Sequence, residues 1–339
     1  MKRNGIAILG LVLSVLCIVY SLRLGAIPLT WAQTFDGVWG RADEQTNTII
    51  HELRLPRALM AALSGGVLAA SGVIAQAILR NPMAAPSLIG ISAGAGFAAA
   101  LSIVLPIPFL MLLPSIWMLP FAAFLGSIAS AGLVFGLARG SGRTDTGMIL
   151  LAGLAINSLA GAGTGLLTFI ADDPQLRSIS FWNLGSVAGA EWSQIGILLL
   201  FSGPLMVSVL ISGGTLNAWM LGEEEAQLLG VSVERQKRLQ MIVIALAVGA
   251  SVSFTGVIGF IGLIIPHLLR FLIGPDHRSL LPQSFIWGAV LLLVSDLIAR
   301  VIVVPLELPI GIVTALIGAP YFIFLLRQQY QRSRVYDPA

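Results

Sequence analysis

Apolar residues in this chain do not alternate with polar ones. They come in long blocks, and nearly all the charge lies in the short stretches between them. The blocks cover residues 5–24, 56–79, 88–106, 114–138, 147–170, 193–212, 239–258, a shorter and broken stretch at 259–273, 281–303 and 309–326. A helix needs roughly 20 apolar residues to cross the hydrocarbon core of a bilayer. Lipid offers no partner to an exposed backbone N–H or C=O, so blocks of this length predict membrane-crossing helices. The pattern therefore predicts an all-α polytopic membrane protein with about ten transmembrane helices and both termini on one side. The region 241–272 is the hardest to divide, because Gly249, Gly256, Gly259, Gly262 and Pro266 interrupt an almost continuous apolar run. We read it as two crossings joined by a tight turn near residues 253–256. A single crossing plus a re-entrant segment is the alternative, since irregular backbone is tolerated in a membrane where protein buries it.

Charge orients these spans. Of the 19 Lys and Arg residues, the predicted loops place 13 on the side of the termini and six on the other. Basic loops stay in the cytoplasm, so both termini are expected there. Lys2 and Arg3 ahead of an apolar run resemble a secretory signal, but no small-x-small cleavage site precedes polar sequence, and a retained first helix is expected.

Composition agrees with a lipid-facing surface: 57% of the 339 residues are hydrophobic and 10% charged, against about 25% charged in soluble domains. The 37 glycines suit close helix–helix approach in lipid. The net charge of +3 comes without any dense basic stretch, which excludes a phosphate-tracking surface for nucleic acid. The single cysteine, Cys17, lies in the first apolar block and permits neither an internal disulfide nor a thiolate metal site. The three histidines, His51, His267 and His277, are dispersed, and no metal site is expected. The only lysines are Lys2 and Lys237, so no phosphate-binding loop of the Gly-x-x-x-x-Gly-Lys type exists. No catalytic constellation appears either, and the chain is not expected to be an enzyme.

Four stretches carry candidate chemistry. In Leu53-Arg54-Leu55-Pro56-Arg57, proline suits a first helical turn, and the two arginines three residues apart share a face. They are either a docking point for acidic groups of an external partner or snorkelling interfacial arginines. In Arg80-Asn81-Pro82-Met83-Ala84-Ala85-Pro86, two prolines end one span and impose a rigid turn. The charged stretch 216–238 contains Glu223, Glu224 and Glu225 ahead of Ala226, Leu228 and Leu229, with Gly230 as a stop. Acidic residues in a first turn suit the helix dipole, and a short amphipathic helix of this kind can press into a partner's groove. Asp296 and Arg300 are spaced as an i,i+4 pair, which lowers the cost of placing both near lipid.

Together these motifs resemble the FecCD family of permeases of type II ABC importers for ferric siderophores, haem and vitamin B12. Resemblance extends over about residues 50–326 and includes Gly72-x-x-x-Gln76, the stretch Leu150-Leu-Ala-Gly153, Phe181-Trp-Asn-Leu-Gly-Ser186 and Leu221 to Gly230. It continues through Gly259 to Arg270, Gly274-Pro-Asp-His-Arg278, Asp296-Leu-Ile-Ala-Arg300 and Glu307-Leu-Pro-Ile-Gly311. The resemblance implies that residues 1–339 form one permease domain working as a homodimer, or paired with a related chain, with the pathway between subunits. Two ATP-binding subunits and an extracytoplasmic substrate-binding protein are the implied partners. ATP-Mg would sit on the ATPase, with no cofactor on this chain. Leu221, Gly222, Glu223, Glu224, Glu225, Ala226, Leu228, Leu229 and Gly230 would couple to the ATPase. Arg54, Arg57 and Arg300 would face the binding protein. Asn81, Pro82 and Met83, with Asp145 and Thr146, would form the cytoplasmic gate, although Asp145 departs from the small hydroxyl residue expected there.

The implied function is import of an iron chelate, siderophore or haem, across the bacterial inner membrane by alternating access. A corrinoid cargo is the alternative. An ion-coupled secondary transporter is a third reading; it would need a titratable residue near the bilayer midplane, for which Asp296 is the nearest candidate.

Overall fold

The structure, a computed structural model, describes residues 2–25, 27–140, 143–303 and 306–336. Among the basic residues that orient the chain, the side chains of Lys2, Arg143, Arg332 and Arg334 lie outside what is described. The elements follow the apolar blocks closely: α1 (Lys2–Arg23), α4 (Leu55–Ile78), α5 (Ile91–Val104), α6 (Ser115–Leu137), α7 (Thr146–Ile170), α9 (Trp192–Ile211), α12 (Val233–Thr255), α13 (Ile261–Ile273), α14 (His277–Val301) and α15 (Ile310–Tyr336). Seven of these are long and apolar enough to cross a membrane, and α5, α13 and α15 supply three shorter apolar segments. Between them lie α2 (Trp31–Val38), α3 (Glu44–Thr48), α8 (Asp173–Leu184), α10 (Gly213–Leu221) and α11 (Glu223–Leu228), a π-turn at Ile49–Arg54 and a two-residue hairpin, β1 (Arg139–Gly140) with β2 (Arg143–Thr144).

Helix α4 is the hub. It is almost wholly buried and packs against α14, α13, α12 and α9. The closest approaches use glycine because nothing larger fits. A Cβ on Gly65 would lie 2.2 Å from the Gly288 carbonyl oxygen of α14, and one on Gly72 would lie 1.9 Å from the Gly262 carbonyl oxygen of α13. Without a hydrophobic drive between helices in lipid, such backbone contact supplies the packing energy. Helices α1 and α7 lie at the periphery and bury only one side.

Two faces result. The first, the mouth face, holds the end of α1, the start of α4 and the end of α14, joined through Arg54, Arg57 and Arg300. The second, the base face, holds the start of α1, the start of α14, α10, α11 and the hairpin.

The break at 253–260 differs from the tight turn expected. Helix α12 runs on through Thr255 and stops at Gly256, whose φ of +68° ends the helix. Residues 256–260 then continue without helix, with Gly256 and Ile258 buried and Gly259 exposed, before α13 begins beside Gly72, well along α4. Helix α13, about 20 Å long at its 13 residues, finishes against Arg3 at the base face. The return leg is thus part irregular backbone and part helix.

Candidate functional site

At the base face, helices α10 and α11 present an apolar knob. Leu221, Leu228 and Leu229 are exposed, Leu228 to 89%, with Glu224 and Glu225 beside them. Gly222, at φ +145°, makes the break between the two helices; a Cβ there would strike the Glu225 carboxylate. Gly230, at φ +82°, ends the segment where the sequence placed a stop. Ala226 points the other way and is fully buried, so it seats α11 rather than joining the knob.

The knob is clamped on two sides. On one side, buried Lys237 of α12 donates to Glu223 Oε1 at 2.6 Å and to the Thr144 carbonyl at 3.1 Å. Glu234, one turn earlier on α12, accepts from the Thr144 amide at 3.0 Å and from its hydroxyl. Asp145 follows and caps α7, its Oδ1 accepting the Met148 N–H at 2.9 Å. The chain of contacts therefore runs from α11 through Lys237 to the base of α7. On the other side, Asn217 of α10 donates to Asp276 Oδ1 at 2.8 Å and accepts the His277 N–H at 2.9 Å. Arg3 closes this clamp, 2.9 Å from Asp276 Oδ2 and 3.2 Å from the Ile273 carbonyl. The Asn217 amide, with the Arg278 backbone N–H and Arg3, holds the Asp276 carboxyl below the usual carboxylate range.

At the mouth, the three arginines expected to face an external partner do three different things. Arg54 is buried and donates to the carbonyls of Leu22 and Arg23, at 2.8 and 2.7 Å, and of Ile27. Arg300, 4% exposed, donates to the Ser21 carbonyl at 3.2 Å and pairs with Asp296. The last carbonyls of a helix have no intrahelical partner and carry the negative end of its dipole. Arg54 and Arg300 supply both needs for α1. Both guanidiniums are thus buried against acceptors of the same chain rather than lying open at the mouth. Arg57 alone reaches the rim. Its Nη2 lies 2.8 Å from Asp296 Oδ1, and its Nη1 lies 2.8 Å from Glu307 Oε2, half-exposed in the loop after α14. Asp296 is 1% exposed and held between Arg57 and Arg300. Both of its oxygens are taken up by guanidiniums. A cavity of about 300 Å³ opens here, lined by Leu53, Arg54, Arg57, Arg300 and Glu307.

Between the faces runs a groove of about 480 Å³ lined by Ser87, Ser92, Gly96, Asn157, Thr164 and Asn183. Helix α7 sits tightly on the turn that carries Ser87, since a Cβ on Gly153 would lie 1.9 Å from the Leu88 carbonyl oxygen. Asn157 donates to the Ser87 carbonyl at 3.1 Å, leaving its own carbonyl oxygen without a protein partner. The groove offers hydroxyls and amides and no ionised side chain among its lining residues. Helix α8, capped by Asp172 through a box with Gln175, ends at Asn183 and Leu184 beside it. Asp172 and Asp173 are both exposed, and Asp173 opens the helix.

Of the expected gate residues, Asn81 folds its Oδ1 back onto the Met83 N–H at 2.9 Å, with Pro82 exposed between them. Asp145 is occupied as the cap of α7, and Thr146 opens that helix. No hydrogen bond among the described residues joins 81–83 to 145–146 within one chain. Sequence reading missed Lys237, Glu234, Thr144, Asn217 and Glu307 as a set, because each pairs with residues distant in the chain. The one available signal was Lys237, a lysine in a chain with only one other. No cluster of three or more metal-ligating side chains occurs among the described residues.

A family model, the FecCD transport family, matches residues 12–328. The hemin transport system permease protein HmuU of Yersinia pestis is 43% identical over 95% of this chain and 96% of its own length. The vitamin B12 import system permease protein BtuC of Vibrio cholerae is 40% identical over 96% and 94%. A solved chain described as an inward-facing ABC transporter of metal-chelate type superposes with a TM-score of 0.82 at 33% identity, covering 96% of this chain and 99% of that one.

Proposed function

The chain belongs to the FecCD transport family, and from that membership we propose that it carries an iron chelate, a siderophore or haem, across a bacterial cytoplasmic membrane. It is a multi-pass permease subunit of an ABC importer, and hydrolysis of ATP resides in a separate subunit. The observation that carries the reading is the knob at the base face: three exposed leucines flanked by glutamates, held from both sides, on a chain with no nucleotide loop. Such a surface suits insertion into a groove of an ATPase. In this reading the base face and both termini are cytoplasmic, and the mouth face receives a substrate-binding protein through the Arg57–Glu307 rim rather than through Arg54 or Arg300. Two copies enclose the pathway, with the groove along α7 as its wall and residues 81–83 and 145–146 closing it at the base.

A corrinoid is the second reading of the cargo, favoured by the Vibrio cholerae relative over the same span. The groove suits either, since its lining mixes hydroxyls and amides with Leu88, Ala93 and Val257 and carries no charge that would select one cargo. Deleting the gene in its host separates the readings. Loss of growth on hemin or a ferric hydroxamate as sole iron source, restored by the intact gene, is the expected result. Loss of cobalamin-dependent growth alone would transfer the cargo to corrinoids. Unchanged growth on all of them would contradict import of this class.

A further inference from the structure

Helix α2, eight residues long, shows three distinct sides. Thr34 and Gly37 are buried against the π-turn, where a Cβ on Gly37 would lie 2.4 Å from Ile50 and where His51 Nε2 lies 2.9 Å from the Gly37 carbonyl oxygen. Gln33 and Asp36 form a polar exposed side. Trp31, Phe35, Val38 and Trp39, at i, i+4, i+7 and i+8, form an apolar side spanning about 100° of the helix; Phe35 and Trp39 are each 64% exposed. Four large apolar groups exposed together on a short helix demand a partner.

The partner is indicated by what this side continues. Helix α1 turns an unbroken apolar surface outward through Val12, Val15, Leu16 and Val19 to Tyr20. In a membrane-spanning helix packed on one side only, that surface meets lipid. Tyr20 stacks edge-on against Trp31 with ring centroids 5.4 Å apart, so the aromatic side of α2 prolongs the lipid-facing side of α1. Arg23 lies 4.6 Å over the Trp31 ring, a cation on the aromatic face at the point where α1 ends. Tryptophan, tyrosine and arginine gathered at one level are the residues that settle where headgroups meet acyl chains. A helix with one apolar and one polar side lies flat there.

We propose that α2 is an interfacial helix whose Trp31–Phe35–Trp39 side is embedded in the headgroup–acyl boundary of the leaflet at the mouth face. Because α2 also grips Ile50 and His51 of the π-turn that leads into Arg54 and Arg57, it ties the arginine mouth to the level of the bilayer surface. A docked protein is the competing occupant of the same side. The inference is independent of the cargo and of the ATPase.

The test places a small environment-sensitive fluorophore on single cysteines in a Cys17→Ser background, at Phe35→Cys, Trp39→Cys or Asp36→Cys. The full chain is reconstituted in vesicles of equal parts phosphatidylcholine and phosphatidylglycerol. At positions 35 and 39, quenching by a nitroxide on the upper acyl chain should exceed several-fold both quenching by a nitroxide near the chain terminus and quenching by aqueous iodide. At position 36 iodide should dominate. Two independent apolar positions guard against local misfolding at one of them. Iodide quenching at 35 and 39 equal to that at 36 overturns the proposal. Shielding of 35 and 39 that appears only when a substrate-binding protein is added also overturns it, and assigns the side to protein docking.

Discussion

Lys237 and Glu223 form a 2.6 Å ion pair whose two ends differ in exposure: the lysine side chain is 4% accessible and the glutamate 36%. The asymmetry decides what each substitution costs. Removing the glutamate strands a buried ammonium with one carbonyl, the situation that makes broken buried pairs expensive, at about 3 kcal/mol. Removing the lysine leaves a carboxylate that water can reach, at about 1 kcal/mol. Glu223→Gln should therefore lower the melting temperature of the detergent-solubilised protein more than Lys237→Met. The reverse order would show that the pair does not sit as described. Because the same contacts run from α11 to the Thr144–Asp145 base of α7, both variants should bind the ATPase yet hydrolyse more ATP per substrate imported than the parent.

Asp296 neutralises two buried guanidiniums, whereas Glu307 touches only the rim side of one. Asp296→Asn should cost about 3–5 kcal/mol, the range for leaving buried charge uncompensated, and sharply reduce the yield of folded protein. Glu307→Gln should cost under about 1 kcal/mol and, by releasing Arg57 for acidic groups of the partner, strengthen binding-protein association, read by surface plasmon resonance. A folded Asp296→Asn protein of parental stability would contradict the placement of Asp296 between the two guanidiniums.

Gly72 gives a packing prediction. Any side chain there drives α4 from α13, since the Cβ alone would overlap the Gly262 carbonyl. Gly72→Ala should destabilise by about 3 kcal/mol, at the upper end for overpacking. Gly161→Ala on α7, where a Cβ meets nothing within 4 Å, should be close to neutral in the same thermal unfolding assay.

Asp276 gives a pH dependence. Its folded pKa lies below the ordinary carboxylate value because the Asn217 amide donates to its charged form, with the Arg278 backbone N–H and Arg3 assisting. The stabilisation is therefore complete above the unfolded value of about 3.9 and is lost as pH falls through the lower folded value. Thermal stability should show no Asp276 contribution to its slope between neutral pH and about pH 5. Asp276→Asn should flatten part of the decline below that. A decline already steep near neutrality and abolished by Asp276→Asn would contradict the clamp.

The apolar blocks were legible because a bilayer imposes one length and one composition on every span, so α1, α4, α6, α7, α9 and α14 began and ended within a few residues of expectation. The knob was legible from three glutamates, a leucine pair and a glycine stop. Helix α8 was not, because Asp173–Leu184 alternates polar and apolar residues without a span's length. Nor was the 256–260 link, which looks apolar but is stabilised by packing on Gly185 and α15 rather than by helix propensity. Arg54, Arg57 and Arg300 were expected at the mouth from the family resemblance, which does not say what each guanidinium touches. Arg54 and Arg300 instead cap α1, and only the fold brings residues 22 and 54, or 21 and 300, together.

The most direct test of the account is whether an ATPase subunit stays on this chain through the knob. The measurement is its stoichiometry after gentle solubilisation and affinity purification, for the parent chain and for the Leu228→Asp, Leu229→Asp double variant, whose exposed positions should leave the fold unchanged. The account predicts one ATPase copy per permease with the parent and loss of at least nine-tenths of it, about 1.4 kcal/mol or more in affinity, with the variant. Retention of the full complement by a folded variant would contradict it.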